Sequence, residues 1–183
     1  MAIKANELRR GQALIWEGQL QVCLGTEHVK PGKGPAYIQA KMKNVETGTI
    51  KVNRLNSSDK IENVNIDKRS MQCKGPWVFM DNESYEQIEL DEDVVEPTQS
   101  QWLKDGLEIL VMIYDGNALG VELPASVELE VTDTTDQPKA ATATNQLKEA
   151  TVETGARVRV PPFIEIGQVV KINTESGEYL GKA

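Results

Sequence analysis

One lysine stands at the centre of a palindrome, Pro31-Gly32-Lys33-Gly34-Pro35, within the octapeptide His28-Val29-Lys30-Pro31-Gly32-Lys33-Gly34-Pro35. Gly32 and Gly34 give the backbone access to positive φ and leave no side chain beside the lysine, while Pro31 and Pro35 stiffen both ends. The outcome is an amine carried alone on a narrow, partly rigid tip. Gly and Pro are also ordinary residues of a surface hairpin, and lysine an ordinary occupant of its tip. Other reactive constellations are missing. His28 is the only histidine, and although Cys23 is near it in sequence, no GxSxG or oxyanion motif accompanies the pair. Cys23 and Cys73 have no CxxC companion, so neither zinc nor a disulfide framework is implied, and both read as small buried hydrophobes. The acidic run Glu89-Leu90-Asp91-Glu92-Asp93 lacks the glycine and terminal glutamate of a calcium loop and reads as the solvated start of a helix. No P-loop or dinucleotide fingerprint occurs. These residues point away from an enzyme, a metal site and a bound cofactor.

The segments that must position Lys33 are short β runs punctuated by turns, with little sustained helical periodicity. Ala13-Leu14-Ile15-Trp16, the turn Glu17-Gly18 and Leu20-Gln21-Val22-Cys23-Leu24 form a predicted hairpin, and Ala36 to Met42 and Thr49 to Val52 are further strands. Four or five strands in the first third suit a small barrel with the lysine loop as a protruding tip. The middle third repeats the pattern through Ser70 to Cys73, Trp77 to Asp81, Tyr85 to Leu90 and Leu107 to Tyr114, broken by one short helix or crossover in residues 91–105. That is the pattern of a five-stranded barrel of the OB type. Strict alternation in Val127-Glu128-Leu129-Glu130-Val131 marks a half-exposed strand. Residues 132–145 then read as a long loop, before the strands Arg157 to Val160 and Val169 to Ile172 of a second OB-like barrel.

A chain of 183 residues suits two or three such units. Its net charge of −8 is unevenly spread, with balances of +4 over residues 1–65, −10 over 66–128 and −2 over 129–183. The basic first third can touch RNA phosphates, and the acidic middle opposes non-specific binding. No apolar run reaches the roughly 18 residues of a membrane span, and the first residues lack the apolar core of a signal peptide, so a soluble cytoplasmic protein is expected.

Two motifs carry a family resemblance along essentially the whole chain. One is the lysine loop with Ala36; the other is residues 148–167, with Lys148, Ala150, Gly155, Val160-Pro161 and Gly167 at fixed spacings. In both, the chain resembles bacterial elongation factor P. Val78-Phe79-Met80-Asp81 and Thr174-Glu175-Ser176-Gly177-Glu178-Tyr179 are similar too.

The resemblance implies an all-β protein of three small barrels in an L-shaped arrangement: an N-terminal SH3-like (KOW-type) barrel, residues 1–64, followed by two OB-fold barrels, 65–128 and 129–183. It implies a monomeric factor that binds the ribosome, its rRNA and proteins, between the peptidyl and exit sites. There it stimulates peptide-bond formation and relieves stalling at consecutive prolines. Lys33 would reach the acceptor end of the prolyl peptidyl-tRNA, with His28, Lys30, Pro31, Gly32, Gly34 and Pro35 supporting it or touching RNA. The loop that meets the exit-site codon in relatives carries Gly-Asp-Thr-Ala, where this chain has Ala140-Ala141-Thr142-Ala143. That departure marks the alternative, a diverged RNA-binding or scaffold protein with the same barrels. A lysine-modifying enzyme becomes a partner where relatives extend the equivalent lysine. The stiff palindrome favours an unmodified Lys33 here.

Overall fold

The computed structural model describes residues 1–135 and 146–183. Sixteen strands, one short α-helix and a single 3-10 turn at Ala5–Glu7 occur among them. β1 (Ala2–Lys4), β2 (Ala13–Trp16), β3 (Gln19–Val29), β4 (Tyr37–Asn44), β5 (Ile50–Asn56) and β6 (Lys60–Val64) make a six-stranded sheet in the order β1-β6-β2-β3-β4-β5. β7 (Asp67–Gly75), β8 (Val78–Asp81), β9 (Gln87–Glu89), β10 (Glu108–Tyr114) and β11 (Asn117–Glu122) form a second sheet, ordered β11-β10-β7-β8-β9, with helix α1 (Pro97–Ser100) between β9 and β10. β12 (Ser126–Thr134), β13 (Lys148–Val152), β14 (Arg157–Val160), β15 (Val169–Asn173) and β16 (Tyr179–Lys182) form the third, ordered β14-β13-β12-β15-β16. A parallel bridge from Arg159 to Glu178 joins the two ends of this last sheet, closing a five-stranded barrel. The expected all-β architecture is therefore observed.

Local chemistry explains the connections. Glu17 and Gly18 both take positive φ (52° and 76°), as do Asp115 and Gly116 (50° and 77°). Two successive left-handed residues make the two-residue turn whose twist matches a β-hairpin, joining β2 to β3 and β10 to β11. β12 alternates buried Val127, Leu129 and Val131 with exposed Glu128 and Glu130, the period-two pattern of a strand with one face on a core.

Internal contacts divide the described chain into two compact units, one comprising Met1–Arg69 with Val111–Glu122, the other Ser70–Leu110 with Leu123–Ala183. The first unit has two apolar clusters. Leu8, Leu14, Cys23, Ile38, Met42, Leu55 and Ile61 fill the barrel, while Ala13, Val22, Met112 and Leu119 gather where β2 and β3 meet the β10–β11 hairpin. The second unit centres on Leu129, Val152, Val160, Ile164, Val170 and Ile172, joined by Trp102, which is 2% exposed.

Three sequence expectations need correction. Six strands form in the first third, because β1 is too short to show a period and β6, Lys-Ile-Glu-Asn-Val, buries only Ile61 fully. Of the loop expected over residues 132–145, residues 132–134 are strand and residues 136–145 lie outside the described residues. Thr132 and Thr134 extend β12, each donating its hydroxyl to a β13 carbonyl, of Thr151 (3.2 Å) and Glu149 (3.1 Å). The acidic run is not a helix start. It spans the end of β9 and a turn in which the Asp91 carboxylate accepts the N–H groups of Asp93 (3.1 Å) and Val94 (3.3 Å), and the helix begins later, at Pro97.

Candidate functional site

The arm that carries Lys33 is built by two long strands. β3 and β4 stay paired up to Val29 opposite Tyr37, and residues 30–36 form the loop beyond them. A register shift between Cys23 and Gly25 puts a bulge partway along β3, a feature that bends and twists a strand. His28 is exposed, opposite Ile38. Lys30, Gly32, Lys33, Gly34 and Pro35 are exposed as well, and Pro31 is half-buried. Lys33 makes no hydrogen bond or ion pair with any described residue.

The two glycines differ. Gly34 has φ +121°, a region that a side chain strains to occupy, and a Cβ there would lie 3.8 Å from Pro31 Cγ. Gly32 is outside the positive-φ region, and a Cβ on it would meet nothing within 4 Å. The expectation that both glycines exploit positive φ therefore fails at Gly32. A seven-residue loop spreads its reversal over several bonds, and one such residue is enough. Nothing within the chain itself demands glycine at Gly32.

The loop is anchored on its β4 side by residues that sequence reasoning missed. Ser57 donates its hydroxyl to the Ala36 carbonyl at 3.1 Å. The Arg54 guanidinium lies 3.8 Å from the centroid of the Tyr37 ring, a cation–π contact between diagonal neighbours, since Tyr37 pairs with Asn56 and Gln39 with Arg54. No local signal announces such a stack, because it depends on the pairing register of β4 and β5. The same register sets Lys41 opposite Val52 and Lys43 opposite Ile50. With Tyr37 and Arg54 they make a row on one face of the hairpin, basic with exposed apolar residues, running to the root of the loop.

The second motif is built differently. Lys148 is buried and paired with Val160 at the start of β13, and Ala150 and Val160 are core residues. Gly155 and Gly167 hold φ of +83° and +87°. The N–H of Gly155 donates to Val152 O and that of Gly167 to Val131 O, both at 2.8 Å, fixing the turns on either side of β14 and Pro161. This motif lies in the second unit and the lysine loop in the first. Ala140, Ala141, Thr142 and Ala143 lie outside the described residues. Among the described residues, no group of three or more His, Cys, Asp or Glu side chains is arranged to hold a metal ion, and no helix is long and apolar enough to cross a membrane.

Comparison with known families decides what the two motifs belong to. Residues 4–61 match the elongation factor P KOW-like domain, residues 66–121 the elongation factor P OB domain, and residues 127–182 the elongation factor P C-terminal domain, in that order along the chain. The chain belongs to the elongation factor P family. It is thus a translation factor, assembled from a KOW-like domain followed by OB domains. Solved structures similar to it include eukaryotic translation initiation factor 5A from Methanococcus jannaschii. That match is 22% identical and covers 67% of this chain and 94% of that one, with a TM-score of 0.38. A translation initiation factor eif-5a family protein from Naegleria fowleri is 16% identical over 67% of this chain and 98% of its own, with a TM-score of 0.35.

Proposed function

We propose that this member of the elongation factor P family binds in the cytoplasm to the ribosome between the peptidyl and exit sites, as a monomer, and relieves stalling at consecutive prolines. Lys33 acts on the acceptor end of the prolyl peptidyl-tRNA. The observation that carries this reading is the tip itself: an exposed lysine without partners, beside a glycine that the chain's own geometry does not need. Such a tip is shaped for contact with something outside the chain.

The mechanism follows from position rather than from acid–base chemistry. Proline is a rigid, poor donor and acceptor, so its peptidyl-tRNA spends little time in a reactive geometry. Holding the acceptor end in place supplies effective concentration and orientation, which lower a barrier without a reacting group from the factor. A slim ammonium on a four-carbon stem can reach between RNA phosphates where a bulkier loop cannot. The Lys41, Lys43 and Arg54 face offers further cations behind it. Arg54 on Tyr37 and Ser57 on Ala36 fix the root from which the arm projects. Because the stiff loop replaces part of what an extension of the side chain provides, Lys33 works unmodified.

The test is formation of a proline-rich peptide on reconstituted bacterial ribosomes, with no factor, with unmodified recombinant protein and with Lys33→Ala. Rescue by the parent that disappears in the variant establishes the role of bare Lys33. Rescue only by protein from the native source, with added mass on Lys33, would replace the unmodified arm with an extended one and bring in a lysine-modifying enzyme. No rescue by either would favour the diverged RNA-binding reading.

A further inference from the structure

β5 is one edge of the first sheet, with β4 its only neighbour among the described strands. Which of its backbone groups are open follows from the hydrogen bonds at its two ends. At one end the Asn44 N–H donates to the Thr49 carbonyl (2.9 Å), which makes these two residues a hydrogen-bonded pair. At the other end Asn56 turns away from β4: its N–H donates to the Asp59 carboxylate (2.8 Å), and its carbonyl accepts the Asp59 N–H (3.0 Å). Bonded and non-bonded pairs alternate along an antiparallel ladder, so in this register Lys51, Asn53 and Leu55 are the residues bonded to β4. Ile50, Val52 and Arg54 therefore aim their N–H and C=O groups at the open edge, where no described strand takes them.

The usual protection of an edge is weak here. Open edges are commonly blunted by proline, a bulge or charge, yet β5 has no proline and its register with β4 runs without a shift. Ile50 is 43% and Val52 62% exposed, and two residues apart they share one face of the strand. Lys51, the charge between them, stands on the opposite face. Open ladder groups beside exposed apolar side chains are what an added strand completes and covers. Charge selects the occupant. β4 and β5 carry Lys41, Lys43, Lys51 and Arg54 and no carboxylate. A second copy of this hairpin would bring like charges together. Nucleic acid would answer the charge, but it has no alternating donors and acceptors at strand spacing, and its phosphates gain nothing from Ile50 and Val52.

We infer that the β5 edge receives an extended segment of a partner protein, added as a further strand, in which apolar residues alternate with acidic ones. Its backbone completes the ladder with Ile50, Val52 and Arg54. Its apolar side chains cover Ile50 and Val52, and a carboxylate on the other face meets Lys51. Ile50 and Val52 lie toward the end of β5 away from the lysine loop, which follows the pairing of Tyr37 with Asn56. Binding at this edge therefore does not depend on Lys33.

The test titrates the full, 15N-labelled protein with a capped heptapeptide carrying the sequence of residues 126–132, Ser-Val-Glu-Leu-Glu-Val-Thr, which has the required alternation. The amide signals of Ile50, Val52 and Arg54 should shift saturably and exchange their hydrogens more slowly. Exchange at Lys51 and Asn53, already bonded to β4, should change little. Val52→Pro removes one open N–H and no bond to β4, a position where edge strands tolerate proline, and should weaken binding about tenfold or more at an unchanged melting temperature. Val52→Lys keeps every backbone bond and should weaken it as well, by charging the edge. The same peptide with both glutamates replaced by lysine should bind about fivefold more weakly or worse. No shift up to about 5 mM peptide, undiminished binding by both Val52 variants, or equal binding of the lysine peptide overturns the inference. So does a hexaribonucleotide that shifts these amides where the peptide does not, which would make the face an RNA surface. Sedimentation that grows with concentration and is abolished by Val52→Lys would overturn it too, by seating a second copy on the edge. Lys33→Ala should bind the peptide as the parent does, so this titration and the ribosome assay can fail independently.

Discussion

The lysine loop and the stretch from Lys148 to Gly167 are the two most distinctive strings in the chain, and the structure accounts for them in opposite ways. In the second string the distinctive residues have internal reasons: Ala150 and Val160 fill the barrel, and Gly155 and Gly167 hold left-handed turns. In the loop, by contrast, Lys33 makes no hydrogen bond or ion pair with any described residue, and Gly32 satisfies no steric or conformational demand of the described chain. A residue type that packing explains is a poor guide to function. One that packing leaves unexplained points outward, to whatever the tip meets.

The sharpest way to break this contrast is to damage each string and read both stability and rescue. Ile164, fully buried within the second string, should lose about 2–5 kcal/mol of stability on Ile164→Ala, from lost apolar transfer and the cavity left behind. Its remaining folded fraction should still rescue formation of the proline-rich peptide. Lys33→Ala should do the reverse, lowering rescue about tenfold or more while denaturation midpoints stay within error. Measurable destabilisation by Lys33→Ala would mean that the tip is held from within after all.

The glycines sharpen the same comparison with smaller effects. Gly155→Ala forces a side chain into φ +83° and should cost about 1–3 kcal/mol. Gly32→Ala meets open space and should leave stability unchanged or raise it by up to about 1 kcal/mol, by narrowing the unfolded ensemble. Rescue should nevertheless fall several-fold, because the new methyl stands beside Lys33 where a close partner must approach. Urea midpoints together with peptide-formation rates decide it. Full activity in Gly32→Ala would remove the steric part of the argument.

Much of this was legible in advance, for reasons that differ between regions. The hairpin turns at Glu17-Gly18 and Asp115-Gly116 announce themselves through local chemistry, as does the alternation in β12. The lysine loop is legible because its punctuation is local as well. What sequence could not show depends on register. The Arg54–Tyr37 stack, the Ser57 anchor and the place of Trp102 in the core of the third barrel join residues whose spacing carries no period. Strand β6 escaped because only Ile61 is fully buried, and the acidic run misled because acids favour helix starts and Asx-type turns alike.

Arg54→Gln tests how far the root controls the tip. Losing the cation–π contact at this exposed position removes about 0.5–1 kcal/mol of preference for one arm orientation, felt as about a two- to fivefold weaker rescue at little cost in stability. Arg54→Lys should recover part of it, since an ammonium keeps the charge over the ring but loses the planar stack. Equal loss in both variants would instead mark Arg54 as a direct contact to RNA.

The smallest effect should come from Cys23, beside the bulge from which the arm extends. Burial pushes its thiol above the ordinary value of 9.0, against the opposing pull of a hydrogen bond from the Gly25 backbone and the charge of Arg10. The folded state therefore holds the proton more tightly than the unfolded chain. That contribution is intact below pH 9.0 and is lost as pH rises from there toward the raised folded value, because the unfolded thiol ionises first. Lysines titrate in the same range, so the measurement is a difference: urea midpoints of the parent and of Cys23→Ala at pH 7 and above pH 9. The gap between them should shrink as pH rises. A gap that stays constant would show that the thiol ionises equally well folded, and hence that water reaches the base of the arm.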